Sequence, residues 1–238
     1  MIHDLSRYLS SDKVIAFVTD KSVDFTLPLE GTDLLPQQKD LLFSYLKCSQ
    51  QRVFNILQVH GNDVIITNRK ELFSQSNLKS ADGVITSETN VPIAVRTADC
   101  FSIFIYDQNK KIIALIHAGW KGSQKGIVLN ALKIMKKQWS SHPQDLQIVI
   151  GPGIRQCCYE VGWEFKNYFP GKRELEKRDQ GLYLDLVEIN KNQLKNQGVA
   201  DSQIYDCDIC TYCDQRFFSY RRQKEKAGRM ISVMMLKD

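Results

Sequence analysis

The stretch VPIAVRTADCFSIFIYDQNKKIIALIHAGWKGS, which spans Val91–Ser123, decides the fold. It contains three apolar runs rich in β-branched and aromatic residues, and these predict strands at Val91–Val95, Phe101–Tyr106 and Ile112–Ile116. The polar segment Asp107–Lys111 predicts a hairpin turn between the second and third strands. We therefore expect the rest of the chain to pack around these strands.

Two reactive side chains lie where these strands stop. Cys100 follows Thr97-Ala98-Asp99, and His117 opens the segment His117-Ala118-Gly119-Trp120. The small residues of that segment let a backbone or a ligand come close, and a helical pattern begins after Gly122-Ser123. Because reactive side chains at strand ends beside a helix start are typical of functional sites, we expect a site here.

The elements on either side of this stretch predict the fold class. Apolar runs predict further strands at Val14–Val18, Val53–Val59, Val64–Thr67, Asp82–Thr86, Leu146–Ile150 and Met230–Leu236. Helices are predicted at Gln37–Lys47, Gly126–Trp139 and Trp163–Phe169, and Asp185 with Glu188 forms a capping pair for a helix that ends at Gly198. The charged segment Gly171–Gln180 favours a surface loop. The mixture of hairpins and interspersed helices predicts an α+β fold with mixed β-sheets, and since no linker or repeat divides residues 1–238, we expect a single domain.

The composition indicates a soluble globular protein. The 238 residues are 43% hydrophobic and 25% charged, which suits a full core. The net charge of +5 is small, and the basic residues are spread along the chain, so it favours anions such as phosphate and predicts no nucleic-acid partner. No apolar run approaches the roughly 20 residues of a membrane span, and no signal-peptide core begins the chain. We therefore expect a cytoplasmic protein.

Three potential metal ligands stand at predicted strand ends, namely His60, Cys100 and His117. Two imidazoles and a thiolate suit Zn²⁺, and three protein ligands leave a coordination position for water or substrate. The seven cysteines, an odd number, also favour metal binding or catalysis over a disulfide framework. The ligands are too widely spaced to form a compact motif, so a buried cysteine with two histidines bonded to backbone remains an alternative at this point.

Several sequence strings resemble the YfiH-type family. They are QVHGNDV (58–64), ADGVITSETNVPIAVRTADC (81–100), ALIHAGWKGS (114–123), IGPGIRQCCYEVG (150–162), FFSYRR (217–222) and GRM (228–230). Members of this family were formerly described as multicopper polyphenol oxidases or laccase-domain proteins. They are understood as purine nucleoside phosphorylases with adenosine deaminase side activity. The resemblance runs from about Val53 to the C-terminus.

The resemblance implies a fold, a metal and substrates. It implies a four-layer α/β/β/α sandwich, and one zinc ion per chain held by His60, Cys100 and His117, with copper(II) as a substitute. The implied substrates are inorganic phosphate and purine nucleosides (adenosine, inosine, guanosine and 5′-methylthioadenosine). We expect a monomer or a homodimer.

Two segments depart from the family pattern. DFTLPLE (24–30) stands near the position where the family has Asn-Leu-Gly, and RRQKEKAGR (221–229) replaces its RRDG–TGR string. If these segments shape the nucleoside pocket, substrate preference differs from that of the family.

Neighbours of the three ligands are candidates for supporting roles. Asp99 is a candidate to orient a ligand histidine or to act as a general acid or base, or else caps a turn. Lys121, just before a helix start, is either a phosphate ligand or a solvated lysine. Arg221 and Arg222 follow two aromatic residues, and their guanidinium groups suit phosphate, although one of the two is expected to be structural.

A second metal candidate comes from the cysteines near the C-terminus. Cys207, Cys210 and Cys213 form C-x2-C-x2-C, and a fourth ligand is available from Cys157 or Cys158. Buried, unligated thiols are the alternative interpretation. The sequence leaves both open.

Three other functions compete with the phosphorylase. In a cysteine hydrolase, Cys100 would be the nucleophile and His117 its base. Polyphenol oxidation is less favoured, because multicopper sites need many histidines and the chain has four: His3, His60, His117 and His142. A zinc-stabilised binding module is also less favoured, because structural zinc sites are typically closed by four ligands.

Overall fold

The second and third of the predicted central strands form the middle of the larger of two principal sheets, while the first is an edge strand of the smaller sheet. The structure, a computed structural model, describes residues 1–26, 34–48, 52–74, 78–170, 174–179 and 181–238. The strands in chain order are β1 (Ile2–Asp4), β2 (Val14–Thr19), β3 (Ile56–Leu57), β4 (Val64–Ile66), β5 (Lys79–Ser80), β6 (Gly83–Thr86), β7 (Ile93–Thr97), β8 (Phe101–Asp107), β9 (Ile112–Ala118), β10 (Leu146–Ile150), β11 (Glu160–Val161), β12 (Leu175–Arg178), β13 (Gly181–Leu184), β14 (Ile204–Asp206) and β15 (Met230–Leu236).

The α-helices are mostly short. In chain order they are α1 (Pro36–Leu46), α2 (Arg69–Ser74), α3 (Trp120–Gln124), α4 (Ile127–Trp139), α5 (Phe165–Tyr168), α6 (Leu186–Asn196) and α7 (Tyr220–Gln223). The Asp185 carboxylate accepts a hydrogen bond from Glu188 N at 3.0 Å, as predicted for the start of α6. Among the described residues, none of the helices has the length and apolar character to cross a bilayer.

The strands form two principal sheets. One has six strands in the order β14-β10-β8-β9-β6-β4, and the other has four in the order β1-β2-β15-β7. The six-stranded sheet is mixed, because β10 with β14 and β4 with β6 run parallel while the other pairs are antiparallel. This confirms the predicted α+β class with mixed sheets.

The alternation of side chains along the strands builds four layers. On β15, Met234 packs between the two sheets, while Val233 and Met235 face α1. On β8, Phe104 packs between the sheets and Ile103 faces the other way, where α4 and α6 cover the six-stranded sheet. The order of layers is therefore helix, sheet, sheet, helix, as the family resemblance implies. Each side chain buried in these cores contributes roughly 1.5–3 kcal/mol to folding.

The predictions for two segments were wrong. Within the charged segment predicted as a loop, Leu175–Arg178 forms β12 and pairs with β13, because Leu175 packs on the core while the charged residues point to solvent. The predicted strand Val53–Val59 is reduced to β3, because the residues that follow bind a carboxylate instead of another strand. Parts of two segments, residues 27–30 of DFTLPLE and residues 171–173 and 180 of the charged segment, lie outside the described residues.

Candidate metal centre and its cavity

The structure brings His60, Cys100 and His117 together at one end of the six-stranded sheet. Their ligand atoms all lie within 4.8 Å of one another. The two imidazole rings stand nearly perpendicular, at an interplanar angle of 85° and a centroid distance of 4.8 Å. His117 is buried and His60 is exposed, so the group has one side in the protein and one side open.

Strand pairing places two of these ligands. Phe101, the first residue of β8, pairs with Ala118, and Ser102 pairs with His117. Continuing this antiparallel register by one residue sets Cys100 opposite Gly119. The antiparallel pairing of two long buried strands therefore fixes Cys100 and His117 at the same sheet end.

His60 is positioned by the carboxylate of Asp82, which lies just before β6. His60 has a positive φ of 57°, and its backbone N–H donates to Asp82 Oδ1 at 3.0 Å. Gly61 N donates to Asp82 Oδ2 at 2.6 Å, and Val59 N is 3.3 Å from the same oxygen. The buried carboxylate thus replaces a partner strand and holds the turn that carries His60.

Asp82 also sets the orientation of His117. Its Oδ1 lies 2.8 Å from His117 Nδ1. Because an ionised carboxylate only accepts hydrogen bonds, Nδ1 carries the proton, and Nε2 is the nitrogen left to bind a metal. Burial alone would raise the pKa of Asp82. Hydrogen bonds from the His117 side chain and the Gly61 backbone, together with the charge of His117, outweigh burial and hold the pKa below its usual value.

Gly119 is required by the closeness of the ligands. A Cβ atom on Gly119 would lie 2.9 Å from Cys100 Sγ and 3.3 Å from His60 Cδ2. The first distance is shorter than van der Waals contact, so any larger residue would displace the sulfur. The small residues after His117 thus allow the close approach that the sequence predicted.

The ligands are electrostatically coupled. Burial opposes ionisation of the Cys100 thiol, but the positive charge of His117 and hydrogen bonds from both histidines outweigh it and lower the pKa to about 6. Burial also disfavours the charged form of His117, but Cys100 and Asp82 outweigh it and raise the pKa of the imidazole to about 9. Without a metal, the two charges therefore stabilise each other, since the imidazolium of His117 favours the thiolate of Cys100 and the thiolate favours the imidazolium.

The donor set fits a divalent ion of zinc type. Zn–N bonds of about 2.0 Å and Zn–S bonds of about 2.3 Å match ligand atoms that lie within 4.8 Å of one another. A carboxylate behind a ligand histidine, here Asp82 behind His117, is the usual support of such a site. Three protein ligands would leave a fourth coordination position for water or substrate.

The open side is a cavity of about 900 Å³. The three ligands lie in its wall, together with polar, aromatic and apolar residues. The residues in that wall whose chemistry matters most are Arg96, Asp99, Trp120, Tyr159, Tyr220, Arg221, Lys224 and Arg229. A purine nucleoside fits within this volume, since ligand cavities range over roughly 300–1,000 Å³.

The other predicted site residues have different surroundings. Asp99 lines the cavity, but its carboxylate accepts from Thr211 Oγ1 at 2.7 Å and from Arg221 N at 2.6 Å, and so the histidine partner is Asp82. Arg221 lines the cavity, with its guanidinium 5.3 Å from the Tyr159 ring centroid.

Two predicted phosphate ligands lie outside the cavity wall. Arg222 Nη1 and Nη2 donate to the backbone carbonyls of Thr211 and Phe217 at 2.8 and 2.6 Å. Lys121 is exposed, with its Nζ 5.6 Å from the centroid of the Trp120 ring. Neither is among the described residues that line the cavity. We expected one of Arg221 and Arg222 to be structural, and the hydrogen bonds of Arg222 to backbone carbonyls indicate that it is this one.

The sequence interpretation missed several cavity residues. Arg96 is buried, and its Nη2 donates to Asn55 Oδ1 at 2.8 Å, while desolvation lowers its pKa to about 10. Lys224 and Arg229 belong to the segment that departs from the family string. In the described part of the chain, no salt bridge neutralises Arg96, Lys224 or Arg229. The departure from the family string was the available signal for Lys224, and the family-like string GRM (228–230) was the signal for Arg229.

Known proteins resemble this chain in sequence and in fold. Residues 34–237 match the family described as multi-copper polyphenol oxidoreductase laccase. A protein of Aquifex aeolicus named purine nucleoside phosphorylase is 34% identical over 187 residues, which cover 79% of this chain and 84% of the relative. A Clostridium acetobutylicum protein of the same name is 35% identical over 208 residues, covering 77% and 87%.

A solved structure has the same fold. The crystal structure of the hypothetical protein YfiH from Bacillus licheniformis superposes with a TM-score of 0.84 at 28% identity, over 95% of this chain and 94% of that one. The agreement over nearly the whole length of both chains shows that the four-layer architecture is common to the two proteins.

Proposed function

This chain belongs to the multi-copper polyphenol oxidoreductase laccase family, and we propose that it is a purine nucleoside phosphorylase, like the relatives that carry that name. The observation that supports the proposal most directly is the group of His60, Cys100 and His117 in the wall of a cavity that also presents arginines and aromatic rings. Such a cavity offers contacts for both a purine base and a phosphate.

The proposed reaction exchanges one bond for another. A phosphate oxygen attacks C1′ of the nucleoside, the N-glycosidic bond breaks, and the base leaves with the bonding electrons and takes up a proton. The products are the free base and ribose 1-phosphate. Because C1′ becomes positive as the base leaves, the protein must hold the phosphate beside it and exclude water.

The residues of the cavity wall match these tasks. Arg221, Lys224 and Arg229 supply positive charge, and guanidinium groups bind phosphate through two parallel hydrogen bonds. Tyr159 and Trp120 offer ring faces for a purine, and stacking on an aromatic ring suits purine bases whatever their exocyclic groups. We assign phosphate binding to the three cations and base stacking to the two rings.

We propose that His60, Cys100 and His117 hold one zinc ion, with copper(II) as a substitute. Bound there, zinc would supply a Lewis acid that polarises a substrate atom. Asp82 keeps the His117 proton on Nδ1, and Gly119 leaves space for the Cys100 sulfur. The resemblance also implies adenosine deamination in the same cavity, in which adenosine and water give inosine and ammonia, and we include this activity in the proposal.

The test is a product assay with purified protein. Adenosine, inosine, guanosine and 5′-methylthioadenosine are incubated with and without inorganic phosphate, and bases and sugar phosphates are separated by chromatography. The proposal predicts phosphate-dependent release of base together with an equal amount of sugar 1-phosphate. No base released at micromolar enzyme with any of the four substrates would contradict it. Inosine formed from adenosine without phosphate would report deamination separately.

A cysteine hydrolase is a second candidate, favoured by the coupled Cys100–His117 pair. Here the thiolate would attack an acyl carbon, the bond to the leaving group would break as His117 gives that group a proton, and water would then hydrolyse the thioester and restore Cys100. The two candidates differ in their metal requirement. A metal-free protein that hydrolyses acyl substrates and traps a covalent adduct on Cys100 supports the hydrolase, whereas activity that requires one zinc per chain supports the phosphorylase.

Multicopper oxidase chemistry is not part of the proposal, despite the family's description. Of the four histidines, His60 and His117 belong to the candidate centre. The His3 ring lies 4.9 Å from the Phe217 ring, centroid to centroid, and is tilted by 38° to it, and His142 precedes a short 3-10 helix. A cluster of several copper ions needs more imidazoles than two at one place.

A further inference from the structure

Two pairs of cysteines that are far apart in the sequence converge at a second place in the fold. Their sulfurs, from Cys157, Cys158, Cys210 and Cys213, all lie within 4.8 Å of one another. Cys213 Sγ is 3.2 Å from Cys158 Sγ and 3.9 Å from Cys157 Sγ. The cluster has no ligand in common with the His60–Cys100–His117 centre.

The spacing of the sulfurs suits one tetrahedral ion. With Zn–S bonds of about 2.3 Å, the sulfurs of a four-cysteine site stand ~3.8 Å apart. The observed separations lie on both sides of this value. A disulfide, with sulfurs about 2.05 Å apart, would join at most two of the four and would require them to approach further.

The backbone around the cluster already has the form of a metal-binding turn. Cys210 and Cys213 stand in a C-x2-C spacing, and the backbone N–H groups of Tyr212 and Cys213 donate to Cys210 Sγ. Arg155 N–H donates to the same sulfur from the other segment. Such donors offset the negative charge that a four-thiolate site accumulates.

The two segments are also joined by backbone hydrogen bonds. Gly153 forms an isolated parallel bridge with Cys210, and Thr211 N donates to Gly153 O at 3.0 Å. Cys158 N donates to Arg155 O at 2.9 Å, which closes the turn that carries Cys157. The four sulfurs are therefore presented by two turns that are held against each other.

We propose that Cys157, Cys158, Cys210 and Cys213 bind one zinc ion in a closed, structural site. Ion binding displaces the four thiol protons to solvent and replaces them with four Zn–S bonds, without a change of oxidation state. Cys207, which the C-x2-C-x2-C spacing had suggested as a ligand, packs against the core between the two sheets and takes no part. The fourth ligand comes instead from using both Cys157 and Cys158.

The site stabilises one wall of the cavity. The turn of Cys157 and Cys158 leads directly to Tyr159, which lines the cavity. The turn of Cys210 and Cys213 contains Thr211, whose hydroxyl donates to Asp99 beside Cys100. An ion that ties these turns together therefore fixes the positions of Tyr159 and Asp99 without touching substrate.

The test measures cobalt binding in a variant whose His60–Cys100–His117 centre has lost its only sulfur. The full chain with Cys100→Ala is reduced, stripped of metal and titrated with Co²⁺, which shows thiolate-to-metal charge-transfer absorption only when bound to sulfur. We expect one equivalent of cobalt with this absorption. Adding Cys213→Ser should remove at least half of the absorption, whereas adding Cys207→Ala should leave it unchanged. No thiolate-bound cobalt in Cys100→Ala, or an absorption unaffected by Cys213→Ser, would overturn the proposal.

A second measurement needs no substitution in the four-cysteine cluster itself. Elemental analysis should find zinc in Cys100→Ala at one equivalent per chain, and its removal by a chelator should speed hydrogen exchange in residues 155–161 and 209–216. The proposal is contradicted if Cys100→Ala contains no zinc after purification under reducing conditions with added zinc. It is also contradicted if Cys158 and Cys213 form a disulfide and its reduction restores no metal binding. These outcomes are independent of nucleoside turnover and so separate this site from the proposed function.

Discussion

Oδ1 of Asp82 lies 2.8 Å from Nδ1 of His117, and both side chains are buried. The backbone N–H of His117 also donates to the carbonyl of Asp82, at 2.7 Å. The aspartate thus holds the histidine twice, through its carboxylate and through the pairing of β6 with β9. Since the same carboxylate holds the turn of His60, one residue aligns two of the three candidate ligands.

Asp82→Asn should weaken metal binding. The amide lacks the charge that keeps the proton on His117 Nδ1, and loss of such a supporting carboxylate typically lowers metal affinity about 10–100-fold. We expect this loss in a competitive zinc titration. The control is Asp107→Asn, a buried carboxylate at the opposite end of β8 whose contacts are turn amides. Zinc affinity equal to that of the wild type in Asp82→Asn would refute the role assigned to this carboxylate.

Gly119→Ala should disturb the centre while leaving the rest of the fold intact. The added methyl group would stand 2.9 Å from Cys100 Sγ, so the sulfur must move. We expect reduced zinc content and at least about 10-fold lower turnover. Gly61→Ala is the matched control, since its methyl group would make an ordinary 3.4 Å contact with Asp82. Comparable zinc content in both variants would show that the close approach at Gly119 is unimportant.

Metal-free protein should react with iodoacetamide at Cys100 at unusually low pH. The thiolate is the reactive form, and it forms as the pH rises through the pKa of about 6. The alkylation rate should therefore rise between about pH 5 and 7 and stay level until His117 loses its proton near a pKa of about 9. His117→Ala should shift the rise upward, because the compensating charge is gone. A midpoint near that of an ordinary thiol, about 8.5, would count against the coupled pair.

Arg221→Ala should raise the KM for phosphate more than Lys121→Ala does. Arg221 lines the cavity, whereas Lys121 is exposed beside Trp120. Loss of a charge-assisted phosphate contact of about 1.5–3 kcal/mol should raise the KM for phosphate roughly 10-fold or more in Arg221→Ala, with little change in Lys121→Ala. Steady-state kinetics with phosphate varied at saturating inosine measure both. The reverse order would restore Lys121 as the phosphate ligand.

Strong local patterns made most of the fold predictable. The predicted strand Phe101–Tyr106 is observed as β8, and the helix predicted at Gly126–Trp139 is observed as α4. The helix has apolar residues at a helical period on its buried face, whereas β8 is a short continuous apolar run that is buried on both faces. The strand β12 was not predicted, because one partly buried leucine within a charged segment gives no recognisable strand period.

The candidate site was predictable only in part, because its completion depends on pairing between distant segments. Cys100 immediately precedes one strand of a hairpin and His117 stands on the other, and their side chains carry recognisable chemistry. Asp82 reaches His117 only through the pairing of β6 with β9, which no local pattern near Asp82 reveals. The same holds for Cys157 and Cys158, which meet Cys210 and Cys213 through a single backbone bridge. A single domain, cytoplasmic location, a monomer or homodimer, and the absence of nucleic-acid partners stay predictions.

The most direct test of the phosphorylase centre is ³¹P nuclear magnetic resonance of inosine and phosphate incubated with the wild type and with Cys100→Ala. We expect a ribose 1-phosphate signal to grow with the wild type and to grow at least about 100-fold more slowly with the variant, because one well-placed group has been removed from a preorganised site. Ribose 1-phosphate formed at equal rates by both proteins, or by neither, would contradict it.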